Sequence, residues 1–327
     1  MSARPLAVLL TLAIALIALI APGPVSGQPA GFDLQSHAGG RGETTGESLP
    51  AFAKSLEIGV TTLELDIVVT KDSQPLVWHD LNIAATACSD TGPAFDGDPD
   101  FPYVGKSVHD LTLAQIRTLD CGKPSAEYPA AEVVRGNKIA ILPEVFAVTD
   151  SYRADVRYNI ETKVPADHPD SSAGPQEFVD VILAAVRAAA KVDRVEIQSF
   201  DWRTLPLVRQ AEPSIPLVAL WTEQTWTPGS PWLAGIDPAL VGDPIVGATM
   251  VGATILSPNY QQVSGKSFTA RAHGLGLKVI PWTVNDTDAM RTQIGYDVDG
   301  IITDYPTRLR GVLASLGMAL PRAFSRP

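Results

Sequence analysis

Short apolar, β-branched segments alternate with helical patterns along most of the chain. The segments that predict strands are Phe32–Ser36, Thr62–Val69, Leu76–Trp78, Val156–Ile160, Arg194–Gln198, Ile215–Leu220, Ala253–Leu256, Lys278–Thr283 and Gly300–Ile302. Helical patterns lie between several of them, at Leu49–Leu56, Pro175–Lys191, Thr204–Ala211 and Ser267–His273. Such alternation favours a parallel sheet covered by helices. The chain length then predicts the α/β class and a single (β/α)8 barrel of the TIM type.

The first 27 residues have the pattern of an export signal. Arg4 precedes a run, Leu6–Ala21, that is apolar except for Thr11, and prolines and small residues follow it. The run is shorter than the roughly 20 residues of a spanning helix, so a signal peptide at residues 1–27 is favoured over a membrane anchor. Residues 28–327 are expected to form one barrel domain without stable membrane insertion. That domain would be secreted, periplasmic or at the cell surface.

One interval, at about residues 80–138, interrupts the alternation and predicts a loop-rich insertion after the His79 segment. It is rich in Pro, Gly and Asp, and it contains both cysteines, Cys88 and Cys121. Long loops without regular structure are usually functional, so this insertion is expected to shape a cleft. An even cysteine count in an exported protein favours a disulfide; two buried free thiols are the alternative.

Three acidic residues lie in or at the end of predicted strands. Glu64 and Asp66 alternate in an apolar strand and therefore share one face. Two neighbouring carboxylates that lose hydration repel each other, and a divalent cation would stabilise both; a solvent-facing edge strand is the alternative. Glu161 ends another strand, where barrel active sites lie. Lys163 follows it and could offer a positive charge to phosphate. A surface ion pair between Glu161 and Lys163 explains the two residues equally well.

Two histidines are candidates for the same site. His37 ends the first predicted strand and precedes a glycine-rich turn, where the backbone can approach a ligand closely. His79 follows a second strand after a short turn, so the two strands must be antiparallel. If that turn centres between Asp72 and Ser73, residue 79 lies opposite Asp66 and His79 joins the carboxylate face. A slip of one residue would turn it to the other face.

Short motifs recur along almost the whole mature chain, at residues 36–42, 49–52, 59, 63–66, 70–72, 79–80, 159–163, 198–201, 281–285 and 299–306. Taken together and in this order, these motifs resemble the glycerophosphodiester phosphodiesterase family. The resemblance implies a distorted barrel of the phospholipase C-like type that hydrolyses glycerophosphodiesters to glycerol 3-phosphate and an alcohol.

The resemblance also implies roles for individual residues. His37 and His79 would be the acid–base pair. Lys163 would help to bind phosphate, and Trp282 matches an aromatic residue near the family's site, with packing in the barrel wall as the equal alternative. One divalent cation, Ca²⁺ or Mg²⁺, would be held by three acids, Glu64, Asp66 and Glu161.

The chain departs from the family's pattern at two positions. Ala38 stands where the family usually has an arginine after the first histidine, which leaves Arg41 as the candidate phosphate-binding cation. Gly46 stands at a usual acid position, and the adjacent Glu47 is expected to point elsewhere. These departures keep two alternatives open: another phospholipase C-like lipid phosphodiesterase, or a catalytically impaired binding protein on the same fold.

The charge of the chain restricts its partners. A net charge of −11 argues against nucleic acid, because phosphate backbones are bound by Lys and Arg. An acidic protein that acts on a phosphodiester needs local cations or a metal ion. The expected partner is therefore a small glycerophosphodiester, and the sequence predicts no oligomeric state.

Overall fold

The computed structural model describes residues 31–326, so the predicted signal peptide at residues 1–27 lies outside the described part of the chain. Its strands are β1 (Asp33–Ser36), β2 (Thr62–Val69), β3 (Pro75–Val77), β4 (Arg157–Thr162), β5 (Val195–Ser199), β6 (Leu217–Trp221), β7 (Ile255–Pro258), β8 (Lys278–Val279) and β9 (Gly300–Thr303). Its α-helices are α1 (Leu49–Ile58), α2 (Leu113–Ile116), α3 (Leu142–Ser151), α4 (Pro175–Ala188), α5 (Thr204–Ala211), α6 (Pro238–Val241), α7 (Pro244–Met250), α8 (Lys266–Gly274), α9 (Thr287–Gly295) and α10 (Pro306–Ser315).

Eight of the strands form a parallel barrel in the order β8-β7-β6-β5-β4-β2-β1-β9. The backbone closes it through hydrogen bonds from Asp299 N to Val279 O and from Ile302 N to Pro281 O. Pro281 has no N–H to donate, which helps to explain why regular pairing of β8 stops early. The predicted α/β class and eight-stranded barrel are confirmed, with an irregular closure between β8 and β9.

The hairpin of β2 and β3 differs from its predicted register by one residue. Ile67 pairs with Val77 and Val69 with Pro75, so Trp78, rather than His79, lies opposite Asp66. The loop has five residues instead of the expected symmetric turn about the 72–73 bond. Ser73 adopts a left-handed backbone with φ 54°, and Thr70 N donates to Gln74 O.

The segment between β3 and α3 packs around a small apolar cluster of its own. Tyr103, Leu111 and Ile116 are buried there together with Cys88 and Cys121, which form a disulfide. The main core lies between the barrel wall and its helices. The domain boundaries, including an insertion at about 80–138, stay a prediction. Within residues 31–326, no helix has the length and apolar character required to cross a bilayer.

Candidate active site

Three acids meet at the carboxyl end of neighbouring strands β2 and β4. Glu64 and Asp66 lie on β2, and the sheet register places Glu161 directly beside Asp66. One carboxylate oxygen from each of the three lies within 4.8 Å of the others, and all three residues are buried. Neither side-chain oxygen of Asp66 accepts a hydrogen bond from an N–H or hydroxyl group of the described residues. Buried carboxylates without donors are costly, and hard divalent cations take oxygen ligands of this kind.

The crowding of charge shifts the pKa of each acid. Burial, with repulsion from Asp66, raises the pKa of Glu64 well above its usual value. Burial raises the pKa of Glu161 to about 7, although the charge of Lys163 opposes this rise. Burial also acts against the ionised form of Asp66, but the charges of Lys163, His79 and His37 prevail and lower its pKa to about 2. The site therefore concentrates negative charge that a bound cation would offset.

Lys163 lies inside this acidic cluster. Its Nζ is 2.9 Å from Glu161 Oε1 and 3.7 Å from Asp66 Oδ1. Burial alone would lower the pKa of the ammonium group, but the two carboxylates outweigh it and raise the pKa above its usual value. The lysine is thus a fixed positive charge at the barrel mouth rather than half of a surface ion pair.

His37 follows β1, and its ring is held by Asp304, the residue after β9. His37 Nδ1 lies 2.6 Å from Asp304 Oδ1, so an Nδ1–H donates to the carboxylate. The opposite ring atom, Nε2, lies 3.9 Å from Glu64 Oε2. Asp304 thereby directs Nε2 towards the acids.

His79 reaches the same region although its strand register differs from the prediction. β3 ends at Val77, a last backbone hydrogen bond runs from Trp78 N to Asp66 O, and His79 follows it. His79 lines a cavity together with Asp66, and its Nδ1 lies 2.7 Å from Asp80 Oδ1. The side chain is half exposed, so its Nε2 is accessible to a ligand.

Arg41 lies at the wall of this cavity and is tied to the His37 network. Its Nε donates to Asp304 Oδ1 at 2.9 Å, and its guanidinium carbon is 5.3 Å from the centre of the Tyr128 ring. A β-carbon at Gly46 would lie 2.7 Å from the β-carbon of Arg41. The absence of a side chain at residue 46 therefore makes room for Arg41.

The expectation that Glu47 points elsewhere is wrong. Its left-handed backbone, with φ 57°, turns the side chain inward, and Glu47 Oε1 accepts a hydrogen bond of 3.2 Å from Asp66 N. The residue is 8% exposed. Burial, together with repulsion from Asp66, raises the pKa of Glu47 well above its usual value.

Trp282 belongs to an aromatic group on another side of the mouth. Its ring packs edge-on against Phe200, with centres 5.4 Å apart, and Phe200 contacts Trp232 in turn. The indole Nε1 donates to Ser257 O at 2.9 Å. Trp282 is therefore anchored in the barrel wall, while Phe200 and Trp232 line a second, more apolar cavity beside Glu161 and Lys163.

The two cavities lie on either side of His79 and Asp80, which line both. The larger has a volume of about 520 Å³ and is closed partly by the segment that carries the disulfide. The smaller has a volume of about 260 Å³. A molecule with two substituents on a central phosphate could place one substituent in each.

Sequence reasoning did not identify several residues that support the site. Asp304 also accepts hydrogen bonds from Tyr128 Oη and Asn285 Nδ2, and Gln198 Nε2 donates to Glu64 Oε1 at 2.6 Å. Asp304, Asn285 and Gln198 all lie within the motif runs, so the signal was present. What the sequence lacked was their spatial relation to His37 and Glu64.

The family model described as the glycerophosphoryl diester phosphodiesterase family matches residues 37–308. The chain belongs to this family. The match includes both histidines, the three acids and Asp304, and it ends inside α10. The predicted family and the predicted enzyme class, a glycerophosphodiester phosphodiesterase, are confirmed.

Individual relatives agree with the family match. The chain is 28% identical over 278 residues to a glycerophosphodiester phosphodiesterase of Bacillus subtilis (strain 168), covering 83% of each protein. It is 27% identical to another from Caldanaerobacter subterraneus, covering 84% of this chain and 94% of the relative.

Solved structures share the barrel. A protein from Silicibacter pomeroyi DSS-3 superposes with a TM-score of 0.76 at 28% identity, over 90% of this chain and 97% of that one. An Oleispira antarctica phosphodiesterase in complex with sn-glycerol-3-phosphate gives a TM-score of 0.65 at 17% identity, over 86% of this chain and 96% of that one. At this lower identity the likeness concerns the fold alone.

Proposed function

We propose that the enzyme hydrolyses glycerophosphodiesters to glycerol 3-phosphate and an alcohol in a reaction that depends on a divalent cation. The observation that carries this proposal is the buried trio of Glu64, Asp66 and Glu161, in which both Asp66 oxygens lack donors. Ca²⁺ and Mg²⁺ both accept such ligands. A bound cation would offset the charge of the phosphoryl oxygens.

His37 and His79 act as the acid–base pair in this proposal. One imidazole removes a proton from the attacking oxygen, and the other donates a proton to the oxygen of the leaving alcohol. Each ring has one nitrogen fixed by a carboxylate, Asp304 or Asp80. That contact sets the tautomer and leaves the other nitrogen available for the substrate.

Arg41 and Lys163 supply positive charge for the substrate phosphate. Arg41 is held by Asp304 at the wall of the larger cavity, and Lys163 lies between the acids and the smaller one. In an acidic protein, these fixed charges counter the repulsion of an anionic substrate. Trp282 completes the aromatic side of the mouth and supports Phe200, which faces the ligand space.

Export of the protein belongs to the same proposal. Residues 1–27 have the composition of a cleavable signal, and a disulfide is typical of proteins that leave the reducing cytoplasm. We expect the enzyme to meet its substrate outside the cytoplasm, as a small molecule.

A chelation assay tests the metal dependence. The purified enzyme is stripped with a chelator, and release of glycerol phosphate from glycerophosphocholine is followed before and after addition of Ca²⁺ or Mg²⁺. Activity should disappear on stripping and return with one of the ions. Turnover that persists in excess chelator contradicts the metal role.

Histidine variants test the acid–base pair. His37→Asn and His79→Asn should each lower kcat by about 10²-fold or more, the range of general acid–base catalysis. His168→Asn, at an exposed histidine, is the matched control and should retain activity. A variant of either site histidine with near wild-type kcat removes that residue from the mechanism.

A further inference from the structure

Glu47 is a fourth buried carboxylate at the acidic cluster, and none of the roles described so far includes it. Its Oε1 accepts the Asp66 N–H, and the carboxyl groups of Glu47 and Asp66 lie within hydrogen-bonding reach of each other. The side chain lines the larger cavity together with Asp66 and His79. The backbone contact fixes the Glu47 carboxyl group beside that of Asp66, and two carboxyl groups this close need either a shared proton or a cation between them.

The local backbone fixes Glu47 in this inward position. Glu47 N donates to Ala38 O at 2.8 Å, and the next residue, Ser48, caps α1 by accepting from Ala51 N. The left-handed φ of Glu47 costs free energy in a residue with a side chain, so the surrounding contacts must hold it. The backbone conformation at Glu47 therefore sets the direction in which its side chain points, towards the acidic cluster.

The charge balance gives a reason for this placement. Burying a carboxylate beside Asp66 is unfavourable unless a positive charge compensates for both. Lys163 faces Glu161 and Asp66 and forms no ion pair with Glu47. Asp66 itself is 1% exposed, and neither of its carboxylate oxygens accepts a hydrogen bond from an N–H or hydroxyl group of the described residues. The ammonium group of Lys163, 3.7 Å from Asp66 Oδ1, is therefore shared among several carboxylates.

We infer that Glu47 supplies a fourth carboxylate to the divalent-cation site of Glu64, Asp66 and Glu161, either directly or through a bound water. This inference rests on the proposed function, because it requires that trio to bind a cation. Glu47 adjoins the trio at Asp66, just outside the group of three whose ligand oxygens lie within 4.8 Å of one another. Four carboxylates suit the high and flexible coordination number of Ca²⁺ better than the strict octahedron of Mg²⁺, which keeps several waters.

Calorimetric titration of the chelator-stripped enzyme with Ca²⁺, and separately with Mg²⁺, tests the inference without reference to turnover. Glu47→Gln keeps the size of the side chain and the bond from Asp66 N but removes the charge. Its Kd for the tighter-binding ion should rise about tenfold or more, as losses of groups around metal sites do. Glu132→Gln is the matched control: this exposed residue lines the same cavity, and its Kd should stay within about twofold.

The outcomes separate the inference from the proposed function. If wild type and Glu47→Gln bind the cation equally, Glu47 is only a neutral neighbour that donates to Asp66, a bond that Gln can also make, and the inference fails while the metal role stands. If the wild-type enzyme binds neither ion, both fail. An equal loss of affinity in Glu132→Gln would assign the effect to general charge and also overturn the inference. Thermal unfolding in chelator verifies that each variant is folded.

Discussion

His37 and Arg41 are joined through a single atom, Oδ1 of Asp304, which lies 2.6 Å from His37 Nδ1 and 2.9 Å from Arg41 Nε. Asp304 is buried, which disfavours its charge. The bond and the charge of His37, followed by the charge of Arg41, outweigh burial and hold the pKa of Asp304 well below its usual range. A carboxylate that stays ionised at neutral pH therefore positions a proposed catalytic imidazole and a proposed phosphate-binding guanidinium together.

Replacement of Asp304 by asparagine should lower kcat/KM by about 10- to 100-fold, because supporting groups of this kind orient the residues that act on the substrate. Asn can no longer select the tautomer of His37 that donates from Nδ1. Steady-state kinetics with glycerophosphocholine measure the effect, and calorimetry should show unchanged cation affinity. Asp299→Asn alters a comparable pair, with His273, away from the mouth, and should leave kcat/KM unchanged. A parallel fall of kcat/KM and cation affinity in Asp304→Asn would indicate general damage to the fold.

A methyl group at residue 46 should act on the substrate through Arg41. In Gly46→Ala the new β-carbon would approach the β-carbon of Arg41 to 2.7 Å, so the arginine must shift from its place between Asp304 and Tyr128. We expect KM to rise several-fold with a smaller change in kcat, the signature of lost substrate binding. Gly92→Ala, where an added β-carbon meets nothing within 4 Å, is the control. Unchanged KM in Gly46→Ala would show that the Arg41 position is not needed for binding.

The sequence predicts the barrel well because the alternation of strands and helices is repeated along the chain. It predicts the faces of Glu64 and Asp66 from simple alternation, which a regular strand enforces. It fails where the backbone leaves regular geometry. The left-handed residues Ser73 and Glu47 alter a hairpin register and the direction of a side chain, and neither left-handed position is itself a glycine.

The supporting contacts could not be predicted for a different reason. Asp304 lies 267 residues from His37, and only closure of the barrel between β1 and β9 brings them together. A motif shows that a residue belongs to a site, but the partner of its side chain depends on the tertiary structure. His79 illustrates the converse: it lies beyond the last residue of β3 and lines the larger cavity with Asp66, although the strand register differs from the prediction.

The stability of the metal-free enzyme should fall as the pH rises from about 5 to 7. Burial raises the pKa of Glu161 to about 7, so in this window the folded state holds a proton that the unfolded state has released. Stability decreases with pH wherever the unfolded state binds fewer protons. One pKa unit corresponds to about 1.4 kcal/mol. Urea unfolding at pH 5, 6 and 7 in chelator measures the slope.

Two comparisons test the cause of that slope. Saturating Ca²⁺ or Mg²⁺ should reduce it, because the cation binds the ionised acids and stabilises the folded state, by about 2.7 kcal/mol at 100 times Kd. Glu161→Gln should also reduce it in chelator, since one of the buried acids with a raised pKa is gone; Glu196, whose pKa burial also raises to about 7, keeps the slope from vanishing.

Asp66 affects stability in the opposite direction and only at lower pH. Its pKa of about 2 means that it stabilises the folded state above about pH 4, and this stability is lost as the pH falls further. A metal-free enzyme whose stability rises from pH 5 to 7 would contradict this assignment.

Loss of the disulfide should affect the cavity wall as well as global stability. Cys88 and Cys121 are 33 residues apart, and closing a loop of this length in the unfolded chain is worth about 3 to 4 kcal/mol on the chain-entropy model. Cys121 lines the larger cavity, so the double variant Cys88→Ser/Cys121→Ser should also raise KM for substrates with a large alcohol group. The barrel core is separate from the cluster around the disulfide, so we expect the far-ultraviolet circular dichroism to stay near that of the wild type. Urea unfolding measures the loss of global stability. The KM for glycerophosphodiesters with alcohol groups of increasing size measures the effect on the cavity wall. If KM rose equally for the smallest and the largest alcohol, the segment would not form the wall that selects by size.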